Sequence, residues 1–143
     1  MISTEEAEAL HDAPKIIFED FIWEWDGSKY HGSVRVECQH RDDILRLVGW
    51  VNDRRYSYSL IYRNAITIRR WGNHPGHRNP DGKLVEGPHK HRYEEGHEDD
   101  WAYNVDDVST SDVRQAFFDF LDEESIELAS RATYQGRMGE YDD

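Results

Sequence analysis

The chain has 143 residues, 37% of them hydrophobic and 13% aromatic, and a formal net charge of -13. That length suits one domain, and the apolar and aromatic content is enough for a core, which excludes pervasive disorder. No stretch approaches the roughly 20 apolar residues of a membrane span, the N-terminus is acidic rather than basic and then apolar, and a lone cysteine excludes an intrachain disulfide or a multi-cysteine zinc centre, so we expect a soluble cytoplasmic protein without a membrane partner.

In "STEEAEALH", Ser3 or Thr4 caps a short helix with acidic residues in its first turn; it ends before Pro14 and is expected to be a peripheral element within residues 1–14. Residues 15–71 then read as strands. "KIIFEDFIWEWDG" and "YHGSVRVECQ" form two strands joined around Asp26-Gly27, with Val34, Val36 and Cys38 alternating inward and Cys38 serving as a small core residue. "ILRLVGWV" and "RYSYSLIYR" flank the turn Asn52-Asp53, and "AITIRRW" follows Arg63-Asn64. Short connections between successive strands predict an antiparallel meander. Tyr56, Tyr58, Leu60 and Tyr62 share one strand face, either as packed core or as a surface on which bases stack. The five tryptophans are expected as core or half-buried packing.

Residues 72–104 hold His74, His77, His89, His91 and His97, five of the eight histidines. Asn79-Pro80-Asp81-Gly82 has the residues that a type I turn favours. If "HKHRY" is extended, His89, His91 and Tyr93 share one face while Lys90 and Arg92 point away. "STSDVRQAFFDFLDEE" predicts a helix over 109–125, capped within Ser109 to Ser111, with Val113, Phe117, Phe120 and Leu121 packed on the sheet. Residues 126–143 are an acidic tail, frayed in its final "GRMGEYDD". Residues 1–93 carry 14 acidic and 14 basic side chains against 16 and 3 in residues 94–143, so the acidity belongs to the C-terminal third. Such a surface repels nucleic acid, and any contact with it is expected in the charge-balanced first two thirds.

The fold class is therefore α+β: an antiparallel meander of about five to six strands, a C-terminal helix on one face and a short N-terminal helix. The histidine segment has three readings. His89 and His91, with His77, His74 or His97 as a third ligand, suit a divalent transition metal such as zinc. A metal-free centre has His89 and His91 as an acid–base pair, His74 or His77 assisting, and Arg70 and Arg92 as phosphate contacts; cleavage of RNA suits that set, although Arg92 shares the outward direction of Lys90. A polar loop with locally bonded histidines is the third.

The run "RRWGNHPGHRNPDG…GPHKHRYEEGHEDDWAY" resembles a family of small prokaryotic proteins of unknown function with a "PHRNPDG…PH-x-H-x-Y" core. More distantly it is similar to the TumE family of toxin–antitoxin proteins, through Arg70, Asn73, His74, His77, His89 and His91, although Gly72 stands where those proteins usually have Asp. The TumE likeness implies a helix-turn-helix antitoxin as partner. Together these observations lead to the expectation of a toxin-like hydrolase acting on RNA. The rival expectation is a non-catalytic acidic module, or nucleic-acid mimic, presenting Asp119, Asp122, Glu123 and Glu124. An exposed meander edge also suits a homodimer.

Overall fold

In the computed structural model, residues 2–109 and 111–137 are described. Thr110 and residues 138–143 lie outside them, including most of the segment expected to fray. In chain order the described elements are α1 (Thr4–Asp12), β1 (Lys15–Ile17), β2 (Phe21–Ile22), β3 (Glu24–Trp25), β4 (Tyr30–Cys38), β5 (Ile44–Val51), β6 (Tyr56–Tyr62), β7 (Ile66–Gly72), β8 (Gly76–Arg78), β9 (Leu84–Glu86), β10 (His89–Glu94), β11 (Glu98–Asn104), α2 (Val113–Glu123), β12 (Ile126–Leu128) and β13 (Tyr134–Gln135).

The α+β class is as expected, with more strands than the sequence predicts. The main sheet runs β11-β10-β7-β6-β5-β4-β1-β12, with β3 added on β4. β4 to β7 form the anticipated antiparallel meander. Its turns follow local chemistry: the Asn52 side chain accepts from the backbone N–H groups of Arg54 and Arg55, and Arg63 and Asn64 both take positive φ (55° and 57°), the conformation of a type I′ hairpin turn. The strand expected before Asp26 is instead broken into β1, β2 and β3. Two of these pieces make pairings that no local pattern announces, β1 in parallel with β12 and β2 in parallel with β13.

Both helices cover the same sheet face. On it, Val34, Leu47 and Leu60 are register neighbours and fully or nearly buried. Helix α2 is capped by Asp112, whose side chain accepts from the N–H of Gln115, rather than by the residues Ser109 to Ser111. It lays Phe117 and Phe120 against Tyr58 and Trp71. The tyrosine row of β6 is therefore packed core: the hydroxyls of Tyr56, Tyr58 and Tyr62 donate to the Ser109 carbonyl, the Val113 carbonyl and the Asp43 carboxylate. Helix α1 is not peripheral, because Ala7 and Leu10 are fully buried and Glu8 pairs with the buried Arg69. The Lys15 ammonium fastens the two helices together by donating to the carbonyls of His11 and Ala13 at the end of α1 and of Glu124 at the end of α2, where both helix dipoles favour a cation.

The opposite sheet face carries no helix. At its β10 end it is covered by the β8–β9 hairpin; over β4 and β5 it lies open, with His31, Ser33, Arg35 and Arg46 exposed and Val48 and Trp50 half-buried.

Candidate functional site

The Asn79-Pro80-Asp81-Gly82 turn forms as expected, with the Gly82 N–H bonded to the Asn79 carbonyl and Gly82 at φ 86°. It closes the hairpin whose register pairs His77 with Val85. Asn79 then fixes that hairpin to the edge of β11, donating from Nδ2 to the Ala102 carbonyl and accepting the Ala102 N–H at Oδ1. This two-way bond completes a backbone that would otherwise be a bare strand edge. His77 is thereby lowered onto the histidines of β10.

Three imidazoles meet there. The ring centres of His77 and His91 are 4.5 Å apart, those of His89 and His91 5.0 Å, and those of His77 and His89 6.0 Å. His89 and His91 are only 3% and 4% exposed. Each ring has one nitrogen on a backbone carbonyl: His77 Nε2 at 2.6 Å from Asp100 O, His89 Nδ1 at 3.0 Å from Gly87 O, and His91 Nδ1 at 2.9 Å from Asp99 O. A carbonyl only accepts, so each of these nitrogens carries the hydrogen, and in the neutral ring the other nitrogen holds a lone pair. The cluster thus presents three oriented basic nitrogens: His77 Nδ1, His89 Nε2 and His91 Nε2.

Arg70 supplies the charge beside them. It is the register partner of His91, its Nε donates to Asp99 Oδ2 at 2.9 Å, and its Nη2 lies 3.2 Å from His91 Nδ1. That last approach is a juxtaposition of two donors, because Nδ1 is already committed to the Asp99 carbonyl. Burial first, and then the Arg70 guanidinium, push the His91 pKa down to about 4, so this ring is neutral at physiological pH. His74 lies at the entrance with its ring centre 5.7 Å from that of Trp50, and burial, with Arg55 and Arg70 on either side, lowers its pKa too.

The sequence-derived residues divide accordingly. His77, His89, His91 and Arg70 are brought together, and His74 stands adjacent. Arg92 is not brought in: it is two residues beyond Lys90 on the helix-covered face, where its Nε bonds Glu94 and its guanidinium sits over Tyr103. Lys90 is buried on that side between Asp107 and Glu123, whose carboxylates raise its pKa against the opposing effect of burial. Tyr93, past a register shift, is buried in the core and donates to the Ile2 carbonyl. His97 is exposed, with Trp101 as its ring neighbour. Asn73 holds the turn before β6, its Oδ1 accepting from Tyr56 N–H and its Nδ2 donating to the Arg54 carbonyl.

As a metal centre the trio is loose. Among the described residues the group whose ligand atoms all lie within 4.8 Å of one another is Glu8, His11 and Asp12 on α1, not the β10 histidines. The i, i+3, i+4 spacing of that group was present in the sequence and was passed over. Asp99 belongs to the acidic run after Tyr93, whose carboxylates the sequence offers as partners that orient the rings, and it positions both Arg70 and His91; the docking role of Asn79, which acts through tertiary contact, was missed. Of the four acidic residues expected on one surface, Asp119, Asp122 and Glu123 line one cleft with Asp107 and Lys90, whereas Glu124 is buried against His11.

No curated protein and no solved structure matches the chain. A family profile does, over residues 2–126, which span α1 to the start of β12 and include every histidine and arginine of the cluster. The chain accordingly belongs to the DUF6978 family, a family of unknown function.

Proposed function

We propose that the three-histidine cluster is a metal-free acid–base centre for cleaving RNA phosphodiesters, and that the chain is a toxin-like hydrolase. The observation that carries this reading is the placing of oriented imidazoles beside the Arg70 guanidinium: proton-transfer groups and an anion clamp in one small volume. In the proposed step, His91 Nε2 takes the proton of a ribose 2′-hydroxyl. The 2′-oxygen bonds to phosphorus, the bond from phosphorus to the 5′-oxygen breaks, and His89, which enters the step with a hydrogen on Nε2 as well as on Nδ1, gives the Nε2 proton to that leaving oxygen; exchange with solvent then returns a proton to His89 and removes one from His91. The products are a 2′,3′-cyclic phosphate and a 5′-hydroxyl. His77 supports the pair, and Arg70 neutralises charge growing on the phosphoryl oxygens. The rings are nearly covered, so substrate entry requires the β8–β9 hairpin to lift from β11.

A resemblance to TumE-type proteins through Arg70, Asn73, His77, His89 and His91 favours the toxin reading and a helix-turn-helix antitoxin as partner. The acidic-module alternative has less support, because three of its four residues are engaged in internal bonds among the described residues: Asp119 accepts from Gln115, Glu123 from Lys90 and Trp71, and Glu124 is paired with His11.

The test is degradation of an end-labelled ribo-oligonucleotide with and without a chelator. Activity that survives chelation and falls at least about 100-fold in Arg70→Ala supports the centre as described. Activity abolished by chelation would replace it with a metal-assisted one, and equal activity in Arg70→Ala would remove Arg70 from the site.

A further inference from the structure

The open part of the sheet bears a surface that the histidine cluster does not account for. Register places Arg35 beside Arg46, Ser33 beside Val48 and Ser59, and His31 beside Trp50 and Ser57, all facing away from the helices. Trp50, Val48 and Ile61 are half-buried apolar side chains in the middle of this face. Cations surround them: Lys29 Nζ stands 5.3 Å from the Trp50 ring centre, Arg46 bonds only the Ser33 hydroxyl, and Arg55 influences His74 next to Trp50. Among the described residues neither Arg46 nor Arg55 has a carboxylate partner. Of the carboxylates that reach this face, Glu37 pairs with Arg35, Asp26 with His31 and Asp99 with Arg70, while Glu24, the register partner of His31, stands exposed at its β3 edge. Arginines without carboxylate partners around a half-buried indole are unexpected in a chain of charge -13 unless the face receives an anion with flat apolar parts.

Single-stranded nucleic acid has that chemistry, with phosphates for the guanidinium groups and bases for the ring. We propose that this face is a track for single-stranded RNA, in which Trp50 stacks a base, Arg46 and Arg55 hold phosphates on either side of it, and the strand leads past His74 to the histidine cluster. Val48, two residues before Trp50 on the same face of β5, lies in one register row with His91, separated by three strand spacings or about 14 Å. Arg55 also lines a cavity of about 230 Å³ with Arg54, Arg137, Asn52 and the carboxylate of Asp53, three guanidinium groups against one acid in room enough for a phosphate group. The choice of RNA over DNA rests on the hydrolase reading; the binding face does not.

Fluorescence anisotropy of the full chain with a labelled single-stranded ribo-oligonucleotide, at about 50 mM salt, tests it. Wild type is expected to bind. Trp50→Ala and, separately, Arg46→Glu/Arg55→Glu should each weaken binding about tenfold or more, with only the charge-reversed protein losing part of the salt dependence. Arg63→Glu, at an exposed guanidinium that lies over Tyr62 on the helix-covered side, should bind as wild type does. The exposed Arg46 makes the second variant informative even if Trp50→Ala is destabilised. Absence of binding by wild type, or unchanged binding in the charge-reversed protein, overturns the track. Binding without cleavage keeps the track and removes the hydrolase; cleavage insensitive to Trp50, Arg46 and Arg55 does the reverse.

Discussion

His91 concentrates the chemistry of the site in one ring. Its pKa falls from the ordinary histidine value to about 4 on folding, so between those values the unfolded chain binds a proton that the folded chain refuses. Stability from this group is therefore complete above about pH 6.5 and declines as pH falls towards 4, by up to about 3 kcal/mol. Thermal unfolding of wild type and His91→Gln across that interval should show the steeper acid loss in wild type; parallel curves would contradict a buried neutral ring. In NMR titration, Arg70→Ala should raise the His91 pKa towards its ordinary value, because the largest cause of the depression after burial is removed. Lys15 is the structural counterpart. Lys15→Met leaves three helix-end carbonyls and the buried Glu124 without their cation, and should cost about 3–5 kcal/mol in denaturant unfolding. The His-x-His pair and the outward direction of Lys90 were legible from a period of two. The Lys15 bond to Glu124 was not, since 109 residues separate the partners.

Among the elements, the β8–β9 hairpin decides whether the cluster exists, because it alone brings His77 to β10. Its turn could be read from Asn-Pro-Asp-Gly, but its docking depends on the Asn79 side chain meeting the edge of β11. Asn79→Ala removes both bonds to Ala102 and should cost about 1–2 kcal/mol, with faster hydrogen exchange confined to β8, β9 and β11. Uniform exchange across the sheet would deny the hairpin that anchoring. Gly72 ends β7 for a steric reason: a Cβ there would lie 1.9 Å from the Tyr56 carbonyl oxygen. Gly72→Ala should therefore destabilise by about 1–3 kcal/mol and disturb the Asn73 clamp on β6, whereas full retention of the melting temperature would show that the backbone yields easily. The meander from β4 to β7 was legible because each strand alternates and each turn has its residues. The pieces β1 to β3 were not, because the run before Asp26 mixes core residues with exposed Phe18, Ile22 and Trp25 and owes its breaks to distant partners.

At the scale of the molecule, the two sheet faces differ in what covers them, and the proposed chemistry falls on the one without helices. One is sealed by both helices and holds the aromatic core, including the β6 tyrosines that might have been taken for a binding surface. The other leaves Trp50 and the arginines of β4 and β5 open and leads to the histidines. Alternation within β5 already put Trp50 opposite the core, so this division was present in the sequence. Which face the helices would occupy was not, because amphipathic stripes do not reveal their partners. The central claim is that His89 and His91 are a catalytic pair. The most direct measurement is the cleavage rate of a labelled RNA by wild type and by His89→Ala/His91→Ala, after circular dichroism has shown both proteins folded. A cyclic-phosphate-ended product from wild type and a rate at least about 1000-fold lower in the double variant are predicted. Equal rates, or no cleavage by either protein, would contradict the account.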